Sequence, residues 1–308
     1  MQTILGSSGI IGTELAKALT AYTNEIKLVS RNPQKVNPTD FTAAADLLNP
    51  QQTSDAIKGS HIVYLTAGLP YNYKVWQQHW PVIMQNVIKA CKEHNAKLVF
   101  FDNIYMYGPV TGIMTEETPF NTTSKKGKVR AAIATMLLNE IKAGTLSGMI
   151  CRAPEFYGPG KTLSGVNAMV FDNIKKGKKV QWLVDDEVKR TYIYTPDAAR
   201  ATAALGNSTG SWNQTWHLPC SEEYMNGKKF IGLVSEIYGK PLPYKVLSKF
   251  MVKIGSLFNP YAREMQELLY QYNQDYNFSS DKFKKALPDF SITSYRDGVT
   301  EIIKEIRN

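Results

Sequence analysis

A glycine triplet near the start of the chain constrains the fold more than any other feature. Gly6-Ser-Ser-Gly9-Ile-Ile-Gly12 follows an apolar run at residues 2–5. It opens a segment, residues 9–22, in which Ile11, Leu15, Ala18 and Leu19 recur at helical spacing. A strand, a glycine turn and a helix in direct succession bring backbone N–H groups close to a pyrophosphate. The helix N-terminus adds partial positive charge. Gly12 lets the helix lie close to the sheet. Gly6, Ser8, Gly9, Ile10, Ile11 and Gly12 are therefore candidate cofactor-binding residues, the bland alternative being a tight turn without a ligand.

A dinucleotide site needs a discriminating residue about 20 positions on, at the end of the second strand. The count lands on Ser30-Arg31-Asn32, after a strand expected at 25–29. An acid there would accept the 2′-hydroxyl of NAD. Arg31 would instead draw a 2′-phosphate through charge-assisted bonds. The expectation is NADP(H) over NAD(H), with NAD(H) also possible. The competing reading makes Arg31 an ordinary exposed cation in a turn.

Downstream, apolar runs alternate with helical patterns. Strands are expected at 40–45, 61–66, 97–102 and 148–152, and helices at 53–58, 76–94 and 129–143. Continuous apolar strands separated by helices mark a parallel sheet covered on both faces. The fold class is α/β, a Rossmann-type doubly wound sheet with a smaller, mostly helical C-terminal substrate domain. The first domain spans 1–152, with a return segment at about 190–218. The second, interleaved with it, spans 153–308. Aromatics crowd residues 240–280, either as a small core or as the wall of a substrate pocket.

Composition narrows the function classes. Cys91, Cys151 and Cys220 form no CxxC pair, and the four histidines are scattered. No disulfide framework and no metal site is expected. Cys151, within an apolar strand, reads as a small buried hydrophobe. Reduced thiols fit a cytoplasmic protein. No apolar stretch approaches the ~18 residues of a spanning helix, and no secretory signal opens the chain. The net charge is +9, from 36 basic and 27 acidic residues. The charge is dispersed, and the lysine run at 175–179 reads as a solvated turn. The expected partner is a small molecule, with no nucleic acid and no membrane.

Several motifs keep order along the chain. Asp46-Leu47 follows the third strand and Thr66-Ala67-Gly68 the fourth. Asp102-Asn-Ile-Tyr-Met-Tyr-Gly108 follows the fifth, and Cys151-Arg-Ala-Pro-Glu-Phe-Tyr-Gly-Pro-Gly160 the sixth. Together with the glycine loop, the chain resembles the extended short-chain dehydrogenase/reductase superfamily, of the NAD-dependent epimerase/dehydratase type. The resemblance implies that Gly6, Gly9 and Gly12 hold the pyrophosphate. It implies that Asp46 and Leu47 border the adenine, Ala67 and Gly68 the nicotinamide ribose, and that Pro154 lines the cofactor. It also implies sugar nucleotides as the commonest substrates and a homodimer formed through the helices at 76–94 and 129–143.

The chain departs from that pattern at the catalytic set. Such enzymes carry a Ser or Thr after the fifth strand and a Tyr-x-x-x-Lys pair on the next helix. Here Asn103 takes the hydroxyl position, and the pair reads Lys126-x-x-x-Arg130. Asn103 can still donate to a substrate oxygen. Arg130 can hold a ribose hydroxyl but not release a proton. Lys126 could serve as base only with a strongly lowered pKa, which Arg130 one turn away would favour. Otherwise the proton role moves to a tyrosine. Tyr71, Tyr73 and Tyr107 are candidates, and Tyr105 leads because strand parity from Ile104 aims it at the cleft. Two functions follow. One is an NAD(P)-dependent oxidoreductase or epimerase-like enzyme with a non-standard catalytic set. The other is a catalytically silent NADP(H)-binding sensor.

Overall fold

The computed structural model describes residues 1–307. Five strands come first: β1 (Gln2–Leu5), β2 (Ile26–Ser30), β3 (Phe41–Ala44), β4 (Ile62–Leu65) and β5 (Lys97–Asp102). Between and after them lie α1 (Ile10–Leu19), α2 (Pro50–Ile57), α3 (Tyr73–Glu93) and α4 (Lys125–Lys142). With strands Gly148–Arg152 and Thr215–His217 they build one seven-stranded sheet. Its order is Thr215–His217, Gly148–Arg152, β5, β4, β1, β2, β3, and every pairing is parallel. The order reverses direction between β1 and β4, where a doubly wound sheet opens a crevice at its carboxyl edge.

The apolar runs explain the layers. β1 is buried throughout, as is Gly148–Arg152, because helices cover both faces. On one face Ile11, Leu15 and Leu19 of α1 pack with Ala198, Ala201 and Leu205 of helix Thr195–Gly206. On the other, α2, α3 and α4 bring Ile57, Trp80, Met84, Ile133 and Leu137 into one core. The chain thus returns to the main sheet through Thr195–Gly206 and Thr215–His217.

The remaining residues are less purely helical than their composition suggests. Three short parallel ribbons pair Glu155–Tyr157 with Tyr192–Tyr194, Val180–Leu183 with Tyr244–Leu247, and Ile113–Met114 with Asn277–Phe278. A core of Tyr157, Phe171, Trp182, Tyr192, Phe230 and Tyr295 joins the first two ribbons to helices Gly227–Tyr238 and Tyr295–Arg307. Helices Lys249–Gly255 and Pro260–Met265 and the 3-10 turn Gln266–Tyr272 then cross back as a strap toward α3 and α4. All three cysteines are buried free thiols. Among the described residues, no helix is long and apolar enough to cross a membrane.

Candidate active site

The glycine loop sits at the reversal of strand order. Gly6 has φ +95°, and a Cβ there would fall on the Ala67 backbone of the loop after β4. Only a residue without a side chain lets the two loops touch. At Gly12 a Cβ would meet the Gly6 carbonyl oxygen at 2.7 Å and Ser7 Cα at 2.8 Å. Gly9 is the N-cap of α1, with no side-chain capping bond and no acid in the first turn. The N–H groups of Ile10, Ile11 and Gly12 thus have no intrahelical acceptor. They form a donor cradle of the kind a pyrophosphate fills.

Ser8 Oγ donates to Ser30 Oγ at 2.7 Å, tying the loop to the end of β2. Arg31 follows, exposed and without an ion-pair partner among the described residues. Asp46 is exposed, and its Oδ1 accepts the Leu48 N–H at 3.0 Å. Leu47 turns inward. Its side chain packs in the core with α2 and α3, and its carbonyl accepts Asn86 Nδ2 at 2.9 Å. That side chain is committed to the core rather than to a ligand edge. Ala67 and Gly68 remain beside the crevice, and Pro154 is buried between two strand ends.

The second wall follows β5. Asn103 is half-buried, and its Oδ1 accepts the Tyr105 N–H at 3.0 Å. The strand stops at Asp102, and Tyr105–Tyr107 form a 3-10 turn. Strand parity therefore does not aim Tyr105; the turn does. Its ring stacks on Trp76 at 6.3 Å. Its phenol and that of Tyr71 are close enough to perturb each other, and burial pushes both well above the usual tyrosine range. The Tyr71 hydroxyl is buried without a hydrogen-bond partner. Tyr73 begins α3 and lies under the Lys125 ammonium at 5.3 Å.

The two basic residues of α4 are buried and ion-paired. Lys126, Arg130, Ile133, Ala134 and Leu137 lie on one inward stripe of the helix, and all are buried. A cation on such a stripe needs carboxylates. Arg130 finds Asp102, whose Oδ1 accepts Nε at 2.8 Å and also Nη2. The guanidinium lies 4.6 Å from the Trp80 ring centre and 4.9 Å from that of Phe100. Lys126 finds the strap. Its ammonium donates to Glu264 Oε2, to the Glu264 carbonyl at 2.9 Å and to Glu267 Oε1 at 3.1 Å. All three donors are used, which leaves Lys126 no free valence for proton abstraction. These bonds tie Lys126 to the strap and Arg130 to Asp102.

Residues that the sequence reading passed over complete the wall. Glu155 accepts Arg190 Nη2 at 2.6 Å and the Tyr272 hydroxyl at 3.1 Å. Glu264 also caps α3 by accepting the Tyr73 N–H at 2.9 Å. Glu267 accepts the Lys125 and Lys126 N–H groups at the start of α4. The sequence signal was available: an Asn259-Pro260 helix start with acids three apart, beside two cations on an apolar stripe. Behind the wall, Arg152 donates to the Tyr107 hydroxyl at 2.7 Å, which lies 2.6 Å from His217 Nε2. His217 Nδ1 faces the Ser279 carbonyl at 2.8 Å. Nδ1 must then carry the proton, and Nε2 accepts from Tyr107. Burial pushes His217 down to about 3, so the ring is neutral. Tyr107 is a buried structural link.

Residues 3–215 match the NAD dependent epimerase/dehydratase family. The chain belongs to this family. One curated member of similar sequence is a dTDP-6-deoxy-L-talose 4-dehydrogenase (NAD(P)(+)) from Kitasatospora kifunensis, 28% identical over 183 residues. That match spans 55% of this chain and 57% of the relative, so little more than half of that protein is represented. Among solved structures, UDP-glucuronic acid 4-epimerase from Bacillus cereus in complex with NAD superposes with a TM-score of 0.80 at 18% identity. It covers 100% of this chain and 99% of that one. UDP-glucose 4-epimerase from Thermus thermophilus in complex with NAD gives a TM-score of 0.79 at 16% identity, covering 100% and 99%. At those identities the likeness establishes the epimerase/dehydratase fold over the whole length.

Proposed function

We propose that this family member is an NAD(P)-dependent oxidoreductase of the epimerase/dehydratase type, acting on an alcohol, carbonyl or sugar-nucleotide substrate through a non-standard catalytic set. One observation carries the reading: the uncapped α1 N-terminus behind Gly6 and Gly12, open at the strand-order reversal. Arg31 beside it supports NADP(H) as the preferred form, with NAD(H) also accepted. The Kitasatospora relative is named for NAD(P)(+), which covers both forms. A homodimer through α3 and α4 and a cytoplasmic location belong to the same reading.

A nicotinamide bound in the crevice would supply hydride exchange at a carbon. The protein supplies placement and a proton. Asn103 spends its Oδ1 on Tyr105 N–H, which leaves its amide N–H groups for a substrate oxygen. Tyr105, raised by burial, stays protonated at neutral pH and donates rather than abstracts. The set therefore favours proton delivery to a developing alkoxide, the direction of carbonyl reduction. Lys126 and Arg130 act as positioning residues through the strap and Asp102.

The test is steady-state turnover with NADPH across a panel of carbonyl substrates. Tyr105→Phe and Asn103→Ala should each lower kcat by about 10²–10⁴, with cofactor affinity unchanged. Full turnover in both variants would place the chemistry elsewhere.

A second reading rests on the strap. Tyr261 lies over the Tyr71 ring at 5.2 Å, and Glu264 and Glu267 hold Lys126. A site closed in this way suits a sensor that binds the dinucleotide without turning it over. Such a protein would show cofactor binding, no substrate-dependent absorbance change, and partner affinity that follows redox state.

A further inference from the structure

The outer side of the strap is built the wrong way round for a water-facing surface. Phe250, Ile254, Leu257 and Phe258 stand at i, i+4, i+7 and i+8, the spacing of one helical stripe. Helix Lys249–Gly255 continues into that stripe through Leu257 N–H to Ile254 O and Phe258 N–H to Gly255 O bonds at 3.1 Å. Yet the stripe faces water. Phe258 is 85% exposed, Phe250 70% and Leu257 68%. The inward side is anchored by Val252, which packs with Leu183, Met265, Leu269 and Tyr272.

Charge surrounds the stripe. Residues 237–263 contain Lys240, Lys245, Lys249, Lys253 and Arg263 and no acid at all. None of the five has an ion-pair partner among the described residues. Strand Val180–Leu183 pairs with Tyr244–Leu247 just before the stripe, with Leu183 beside Leu247 and the lysine run at 175–179 at the far end of the ribbon. Lys249 and Lys253 flank the apolar side chains, where a long stem can lie along an apolar surface while its ammonium reaches outward.

We propose that this stripe is an interfacial docking surface for an anionic lipid bilayer. Apolar side chains at its centre enter the acyl boundary, and the unpaired cations meet lipid phosphates. Charge complementarity selects this occupant. A second copy applied to the same stripe would set Lys249 and Lys253, which lie within it, against the same two cations. The lack of a spanning helix bears only on insertion, not on surface binding.

Flotation of the full chain with two vesicle types tests the proposal. One is pure phosphatidylcholine; the other contains phosphatidylglycerol in addition. The chain should float with the anionic vesicles and not the neutral ones, and salt should weaken the binding. Leu257→Ser with Phe258→Ser should lower the partition constant tenfold or more. Lys249→Gln and Lys253→Gln should each lower it about fivefold, from ~1 kcal/mol per cation. All four side chains are exposed, so the fold and the dinucleotide affinity should be unchanged. No flotation with anionic vesicles at low salt overturns the proposal. So does light scattering in which the double serine variant changes a dimer to a monomer, since a second copy would then cover the stripe.

Discussion

At Gly6 a positive φ and an absent side chain are both required, because the Ala67 backbone occupies the space a Cβ would need. Gly6→Ala should cost about 3 kcal/mol or more of stability. It should also abolish dinucleotide binding by moving the cradle. Chemical denaturation together with titration checks both. His217 supplies a pH dependence with a definite sign. Its folded pKa, about 3, lies below its unfolded value near 6.5. Above pH 6.5 both states are neutral and no stability changes. As pH falls from 6.5 toward 3, only the unfolded chain takes up the proton, so stability drops by about 1.4 kcal/mol per unit. Urea unfolding should show a loss of about 2 kcal/mol between pH 6.5 and 5. His217→Gln should be less stable at pH 7 but flatter in pH. An equal slope in that variant would mean another group is responsible.

Among the elements, legibility follows burial. The five inner sheet strands were readable because each carries an apolar run, and Lys97–Asp102 and Gly148–Arg152 match expectation residue for residue. Thr215–His217 was not readable: three residues carry no periodicity, and only pairing with Gly148–Arg152 makes them a strand. α4 begins at Lys125, four residues before its apolar pattern starts, because Ser124 caps it by accepting the Gly127 N–H. That extension puts Lys126 and Arg130 on the inward stripe. Their ion pairs were not legible because the carboxylate partners are distant: Asp102 is 28 residues from Arg130, and Glu264 is 138 from Lys126. The latch formed by Lys126 with Glu264 and Glu267 gives its own prediction. Glu264→Gln with Glu267→Gln leaves the Lys126 ammonium buried without a countercharge and should cost about 3–5 kcal/mol. Adding Lys126→Met should recover most of that loss. If the triple variant is no more stable than the double, the latch holds the strap through something other than charge.

For the whole molecule, one sheet brings the ends of β1, β2, β4 and β5 to a single edge, so that residues far apart in sequence share a crevice. The positions of the glycine loop, Arg31 and Asn103 at strand ends were legible because an apolar run marks each strand. The strap was not, since nothing local says that residues 249–272 cross back over α3 and α4. On the proposed function, this crevice binds a dinucleotide and Arg31 selects the phosphorylated form. Calorimetric titration of the purified protein with NADP(H) and NAD(H) in parallel, repeated with Arg31→Asp, tests it directly. Both cofactors should bind, NADP(H) about tenfold or more tightly, as one charge-assisted phosphate contact is worth ~1.5–3 kcal/mol. Arg31→Asp should reverse the order. Binding of neither cofactor, or a preference unmoved by Arg31→Asp, would contradict the account.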